Sequence, residues 1–137
     1  MHQPESRQTP VSCRILLAED EVLIRHDLAQ RLRLAGLEVV EARNADEAMA
    51  LLAIGAAPFL LITDVHPGPN DGLHLARFAR LWNSEIKIIV VSGRITEAEV
   101  SGLADAAFAK PFDAVALVAK VQDMIELGRD GREQDVA

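Results

Sequence analysis

The chain has 137 residues, half of them apolar, with 14 basic and 21 acidic side chains and a formal net charge of −7. This length suits one compact domain of about 100–150 residues, and the acidic balance argues against nucleic-acid binding through a broad basic face. Cys13 is the single cysteine, which excludes an internal disulfide.

The two ends of the chain are polar, and the first dozen residues lack an apolar segment of the signal-peptide type. No apolar run reaches the roughly 18–20 residues that span a bilayer. We therefore expect a cytoplasmic protein that does not insert into membranes. The expected organisation is a disordered tail over 1–12, one folded domain over 13–127 and a flexible tail over 128–137.

Five short apolar runs predict strands at residues 14–19, 37–42, 59–63, 86–92 and 106–109. The segments between and after them place apolar residues at helical spacing. These stripes are Ile24, Leu28, Leu32 and Ala35; then Ala45, Ala48, Met49 and Leu52; then Leu75, Phe78, Ala79 and Trp82; and finally Leu117, Val121, Met124 and Ile125.

Capping residues predict where the helices begin and end. Gly36 should end the first helix. The expected amino-terminal caps are Asn44 with Glu47, Thr96 with Glu99 in a short fourth helix that Gly102 stops, and Asp113 before the last helix. Strands and helices therefore alternate along the chain.

The third and fourth runs, FLLI and IKIIVV, are almost continuously apolar. This pattern is typical of parallel strands that helices cover on both faces. Five such units, connected with the usual right-handed crossover, predict a doubly wound α/β sheet. In that architecture ligands bind outside the carboxyl ends of the strands.

Several chemically active side chains fall at those predicted strand ends. Glu19 and Asp20 follow the first strand, with Glu21 beside them, and Asp64 closes the third. The fourth strand ends in Ser92 and the fifth in Lys110.

Clustered carboxylates repel one another, and a cation relieves the repulsion. A hard divalent ion such as Mg²⁺ suits them, because it binds through one or two carboxylates with water and phosphate oxygens. Each residue alone also has an interpretation without a functional site. The acidic triplet could cap the first helix, and Asp64 could be a turn residue. Ser92 could cap a helix, and Lys110 could be a solvated charge. The joint placement favours a site.

The segments ILLAEDE, LLITDV, VVSG and AKPF resemble, in this order, the signature segments of response-regulator receiver domains. The resemblance covers about residues 13–127. More narrowly, EDEVLIRHDLAQRL, NADEAM, DGLHLAR and VVSGRIT are similar to the stand-alone receivers of alphaproteobacteria. The resemblance implies a flavodoxin-like parallel sheet with strand order 2-1-3-4-5.

The resemblance also implies a role for each matching residue. Asp64 would accept a phosphoryl group from a histidine kinase or phosphotransfer protein, and Lys110 and Ser92 would contact phosphoryl oxygens. Mg²⁺ would be bound by Asp20, Asp64 and the backbone carbonyl of His66, with Glu19 holding a coordinated water. The Lys110–Pro111 bond would be cis.

Three features depart from the family pattern. Pro67 stands one place early and Gly68 takes the usual proline position in loop 65–72, which puts metal affinity in doubt, although Gly72 keeps its offset from Asp64. Ser92 and Lys110 are only 18 positions apart, so the fourth helix should be short or irregular. Ala107 occupies the position of the family's switch aromatic, and Phe108, one residue later, should point into the core.

Other histidines and the tryptophan have simpler interpretations. His66 either tunes phosphoryl transfer and hydrolysis at the neighbouring phosphoacceptor or is an exposed loop histidine. Arg94 either modulates the site or is a solvated charge. His26 and His74 are expected on helix surfaces, and Trp82 is expected to pack at the end of the third helix.

Three functions of different classes fit these residues. The leading one is a signalling switch rather than an enzyme, a monomer or weak dimer that acts on an unknown downstream protein, since the sequence ends soon after residue 127. A hydrolase with an aspartate nucleophile is less favoured, because Asp64-Val65-His66 lacks a second acid after the first. A pseudo-receiver, a binding module that works without phosphorylation, is the third.

Overall fold

The computed structural model describes the backbone over residues 14–65, 71–93 and 102–136, and side chains over 14–65, 72–93 and 102–127. Its strands are β1 (Arg14–Ala18), β2 (Glu38–Ala42), β3 (Leu60–Val65), β4 (Lys87–Ser92) and β5 (Ala106–Ala109). The helices in this part of the chain are α1 (Val22–Leu34), α2 (Ala45–Ala53), α3 (Asp71–Trp82) and α4 (Ala114–Val136).

The five strands form one parallel sheet in the order β2-β1-β3-β4-β5. This arrangement confirms both the predicted doubly wound class and the strand order. Every residue of β3 is buried, and so is all of β4 apart from its first residue. The continuous apolar runs therefore belong to central strands that are covered on both faces.

Two apolar clusters fill the space on the two sides of the sheet. On one side, α2 and α3 pack against the sheet through residues such as Leu52, Leu75 and Ala79. On the other, α1 and α4 contribute residues such as Leu32 and Val121. Each fully buried leucine or valine stabilises the fold by about 1.5–3 kcal/mol, so these layers hold the strand ends in place.

The predicted helix caps are present where the structure describes them. Gly36 has a φ of 90°, and the N–H of Leu37 donates to the carbonyl of Leu32, which closes α1 in a Schellman-type end. The Asn44 side chain accepts a hydrogen bond from the Glu47 N–H at 2.8 Å. Asp113 accepts from the N–H groups of Val115 and Ala116 at 2.9 and 3.3 Å. Thr96 and Glu99, the expected caps of a short fourth helix, lie outside the described residues.

The buried stripe of α1 differs from the prediction. Arg25, Leu28, Ala29 and Leu32 are its buried residues, whereas Ile24 is only half-buried. The stripe is turned by about one residue and includes Arg25, which donates to the Glu41 carboxylate and to the backbone carbonyl of Glu19.

The carboxyl-terminal segment and Trp82 lie at the ends of two helices. Helix α4 continues through Val136, so 128–136, predicted as part of a flexible tail, has helical backbone. The sequence of this segment contains no proline, although Gly128 and Gly131 are poor helix formers. Trp82 packs at the end of α3, as predicted: it stacks on Phe78 with ring centroids 6.0 Å apart. It is 53% exposed.

Part of the predicted organisation falls where the structure gives no description. This applies to residues 1–12 and Cys13. Among the described helices, none is long and apolar enough to cross a membrane.

Candidate functional site

The carboxyl ends of β1, β3, β4 and β5 share one edge of the sheet, called here the carboxyl edge. Thr63 pairs with Ala18, so Asp64 lies level with the residue that follows β1, Glu19. Val65 pairs with Ser92, and Ser92 pairs with Ala109, which precedes Lys110. Parallel register therefore brings the predicted residues together, with one small correction: β3 runs through Val65, so Asp64 is its penultimate residue.

Lys110 is the cationic centre of this edge. Its Nζ lies 3.1 Å from Oε1 of Glu19 and 3.2 Å from Oδ2 of Asp64. Oε2 of Glu21 is 3.5 Å away. The side chains of Glu19 and Asp64 are each 4% exposed and that of Lys110 16%, so these pairs are poorly screened by water. The peptide bond between Lys110 and Pro111 is cis, as the resemblance to receiver domains implied.

Burial and neighbouring charges shift the pKa values of this group. Burial raises the pKa of Glu19 to about 7; the hydrogen bond from the Glu21 N–H opposes this rise, and the charge of Asp64 adds to it. Burial alone would lower the pKa of Lys110, but the charges of Glu19 and Asp64 outweigh it and raise that pKa. The carboxylates are therefore crowded enough for a second cation to be favourable.

The carboxylates offer a place for such a cation. Oxygens of Glu19, Asp20 and Glu21 lie within 4.8 Å of one another. A cavity of about 120 Å³ lies beside them, lined in part by Asp64, Asn44 and Thr63. It could hold roughly four water molecules, and the buried Thr63 hydroxyl has no hydrogen-bond partner among the described residues. A set of hard oxygen donors next to room for water fits a hydrated Mg²⁺ ion.

Ser92 and the residues of β5 lie on the other side of Asp64. Ser92 is buried, and its backbone carbonyl accepts from the N–H of Lys110 at 2.8 Å. Ala107, at the position of the family's switch aromatic, is exposed, whereas Phe108 packs against the apolar cluster beneath α1 and α4. This confirms the predicted alternation and leaves no aromatic ring at position 107.

The loop that follows β3 is described only at its two ends. His66, the predicted source of a metal-binding carbonyl, lies outside the described residues, as do Pro67 and Gly68. Gly72, where the structure resumes close to Asp64, is buried. A Cβ placed on Gly72 would collide with the backbone carbonyl of Asp64. The close approach therefore leaves no room for a side chain at this position, which gives a steric reason for a glycine at the fixed offset from Asp64.

The remaining histidines bear out the simple interpretation. His26 and His74 are exposed on α1 and α3. Arg94 lies outside the described residues.

Sequence reasoning missed Arg25. This residue is buried beside Glu19, Asp20 and Glu21, called here the acidic cluster. Its Nη1 donates to the backbone carbonyl of Glu19 at 3.0 Å, and its Nε donates to Oε1 of Glu41 at 3.1 Å. A signal was available: Arg25 precedes Leu28, Ala29 and Leu32 by three, four and seven positions. A charged residue on a buried helical stripe requires partners.

We expect Lys110→Met to destabilise the protein by about 3 kcal/mol in the absence of Mg²⁺, because it leaves Glu19 and Asp64 buried without their cation. Added Mg²⁺ should recover more stability in this variant than in the wild type, since it supplies the missing positive charge. Urea unfolding with and without Mg²⁺ measures both effects. Lys120→Met, at an exposed position of α4, is the control; equal losses in the two variants would contradict a special role for Lys110.

Comparison with known proteins relates this edge to a family. The response regulator receiver domain family model matches residues 15–122. The transcriptional regulatory protein AruR of Pseudomonas aeruginosa is 34% identical over 120 residues, which cover 82% of this chain and 49% of AruR. The chain spans about half the length of the curated relatives it matches.

Solved structures show the same fold. A CheY-like receiver domain protein from Methanospirillum hungatei has a TM-score of 0.77 at 24% identity, covering 86% of this chain and 97% of that one. The response regulator TrrA from Thermotoga maritima, solved in complex with Mg(2+)-BeF, has a TM-score of 0.67 at 31% identity. That match covers 80% of this chain and 96% of TrrA.

Proposed function

The chain belongs to the response regulator receiver domain family, and we propose that it accepts a phosphoryl group on Asp64 in a reaction that depends on Mg²⁺. The observation that carries this proposal is the position of the Asp64 carboxylate. It is buried at the carboxyl edge, 3.2 Å from the Lys110 ammonium and beside the acidic cluster of Glu19, Asp20 and Glu21.

The proposed reaction is a direct transfer. A carboxylate oxygen of Asp64 forms a bond to phosphorus while the P–N bond to the donor's histidine breaks, and the released imidazole nitrogen takes up a proton. Lys110 would move from the Asp64 carboxylate to an oxygen of the bound phosphoryl group. The Ser92 hydroxyl would contact a second oxygen. Stabilising the negative charge of the phosphoryl group is the main contribution that a protein makes to this reaction.

The proposed metal ligands are Asp20, Asp64 and the backbone carbonyl of His66, with Glu19 acting through a water molecule. When bound, Mg²⁺ would offset negative charge on the transferred group and on the crowded carboxylates. The response regulator TrrA, 31% identical to this chain, was solved in complex with Mg(2+)-BeF, which supports the proposal that this chain binds Mg²⁺.

The proposed biological role is a signalling switch rather than an enzyme that turns over an external substrate. A histidine kinase or a phosphotransfer protein would supply the phosphoryl group, and phosphorylation would change the affinity for a downstream protein. Because the curated relatives are about twice as long, the action of the whole protein is part of the proposal. A cytoplasmic location and a monomeric or weakly dimeric state also stay predictions.

Intact-mass measurement after incubation with acetyl phosphate tests the proposal. We expect the mass of one phosphoryl group to be added in Mg²⁺ and not in EDTA. The adduct should be stable in mild acid and be lost in base, as an acyl phosphate is, and peptide mapping should place it at Asp64.

The pseudo-receiver is the outcome that opposes this proposal. No adduct from acetyl phosphate or from a cognate histidine kinase, on protein shown to be folded, would contradict phosphorylation. An adduct that forms equally well in EDTA would contradict the role of Mg²⁺ alone. Turnover of phosphate esters to free phosphate would favour a hydrolase instead.

A further inference from the structure

Arg25 connects three elements of the fold beneath the acidic cluster. It belongs to α1, is only 8% exposed, and donates from two nitrogens in different directions. Nη1 reaches the backbone carbonyl of Glu19, just after β1, and Nε reaches the carboxylate of Glu41 in β2. A planar guanidinium satisfies both acceptors at once, which a lysine ammonium at the same place does less well.

Glu41 fixes the orientation of that guanidinium. Its other carboxylate oxygen accepts from Nη1 of Arg33 at 3.0 Å, and Arg33 also donates to the carbonyl of Val39 at 2.9 Å. Burial opposes ionisation of Glu41, but hydrogen bonds from Arg33 and Arg25 outweigh it and lower its pKa. Glu41 is therefore a charged anchor for Arg25, and Arg33 supports it from the exposed side of α1.

The backbone at Glu19 is held on both sides as a result. The N–H of Glu19 donates to the carbonyl of Ala42 at 3.1 Å, and its own carbonyl accepts from Arg25 at 3.0 Å. That carbonyl belongs to the peptide group that joins Glu19 to Asp20. A rotation of this peptide group would move the Asp20 carboxylate relative to those of Glu19 and Glu21.

We propose that Arg25 is a positioning residue, which holds the Glu19–Asp20 peptide group so that the acidic cluster is preformed for a divalent cation. This inference rests on the proposed function, because it concerns the same Mg²⁺ site. Groups that orient metal ligands commonly change metal affinity about 10- to 100-fold when they are removed.

The charge of Arg25 and its geometry have opposite effects, which makes the proposal testable. A positive charge beside a cation site weakens cation binding through repulsion. If Arg25 acted through charge alone, Arg25→Met would tighten Mg²⁺ binding and Arg25→Lys would leave it unchanged. If Arg25 acts by holding the peptide group, both substitutions weaken binding, because neither side chain provides the paired donors.

The experiment measures Mg²⁺ dissociation constants by titration calorimetry for the wild type, Arg25→Lys, Arg25→Met and Arg33→Met, with no phosphodonor present. We expect dissociation constants about tenfold higher for both Arg25 variants, and a value within about twofold of the wild type for Arg33→Met. Arg33→Met is a matched control, because it also removes a cation and a hydrogen bond from Glu41 but does not touch Glu19. Circular dichroism and thermal unfolding establish that each variant is folded.

The outcomes separate failure of this inference from failure of the proposed function. Wild-type protein that binds no Mg²⁺ would overturn both. Wild-type binding with unchanged or tighter binding in folded Arg25→Lys and Arg25→Met would overturn the positioning role alone. Equal weakening in Arg33→Met, with an equal loss of thermal stability, would also overturn it, since the effect would then follow general loss of stability and not the contact of Arg25 with Glu19. If Arg25→Met fails to fold, Arg25→Lys decides the question, because it keeps a cation opposite Glu41.

Discussion

Asp64→Asn is expected to abolish the phosphate adduct completely, because an amide has no anionic oxygen with which to attack phosphorus. It should also remove most of the stabilisation that Mg²⁺ gives the wild-type protein, since one proposed ligand and one negative charge are lost. For a ligand at about ten times its dissociation constant that stabilisation amounts to about 1.4 kcal/mol. Intact-mass measurement and thermal unfolding, each with and without Mg²⁺, test the two effects on the same sample.

Stability in EDTA distinguishes loss of a site from loss of the fold. The Asp64→Asn substitution would leave Glu19 paired with Lys110 at 3.1 Å and would relieve repulsion between the two buried carboxylates. The variant should therefore be at least as stable as the wild type when Mg²⁺ is absent. Asp123→Asn, at an exposed position of α4, is the control that should keep full adduct formation. An adduct of undiminished yield on folded Asp64→Asn would place the phosphoacceptor elsewhere.

The sequence predicted this site because parallel strands impose it. Apolar runs locate the strands, and residues that follow parallel strands lie at one edge, so the spacing placed Glu19, Asp64 and Lys110 along the same edge. The resemblance to receiver domains supplied the strand order that makes them neighbours. The close contact between Gly72 and the Asp64 carbonyl agrees with the offset noted in the sequence. For the strand ends and for Gly72, the spacing along the sequence, together with that strand order, is therefore enough to predict which residues lie close together in the fold.

Other contacts depend on side-chain direction, which spacing does not encode. Arg25 lies on the buried stripe of α1, but only the position of Glu41 in a neighbouring strand shows why a cation is tolerated there. The contact between Lys110 and Glu21 spans 89 positions and depends on the path of the chain after β5. Trp82 belongs to the apolar stripe of α3 but is 53% exposed, which the helical spacing alone does not indicate.

Gly72→Ala is expected to destabilise the protein by about 3 kcal/mol, at the upper end of what overpacking costs. The added Cβ would collide with the carbonyl of Asp64 and would lie 2.8 Å from Cγ2 and 2.9 Å from Cα of Val65. Two of these three atoms belong to the backbone of β3, so no change of side-chain rotamer relieves the contact. Either the start of α3 moves away from the sheet or the end of β3 shifts. Urea unfolding of the metal-free protein measures the loss.

The same substitution should impair chemistry as well as stability, because the atoms that must move carry Asp64. A displacement of about 1 Å at a reacting group is enough to cost roughly 100-fold in rate, so we expect slow adduct formation even at temperatures where the variant is folded. Gly93→Ala is the matched control: among the residues that the structure describes, no atom lies within 4 Å of a Cβ placed there. Its stability should stay within about 0.5 kcal/mol of the wild type. If Gly72→Ala were as stable as the wild type, the start of α3 would have to lie far enough from Asp64 to accommodate a Cβ, which would contradict the close contact. Lost stability with a normal rate would mean that α3 yields and β3 does not, which would separate the packing role of Gly72 from any role in placing Asp64.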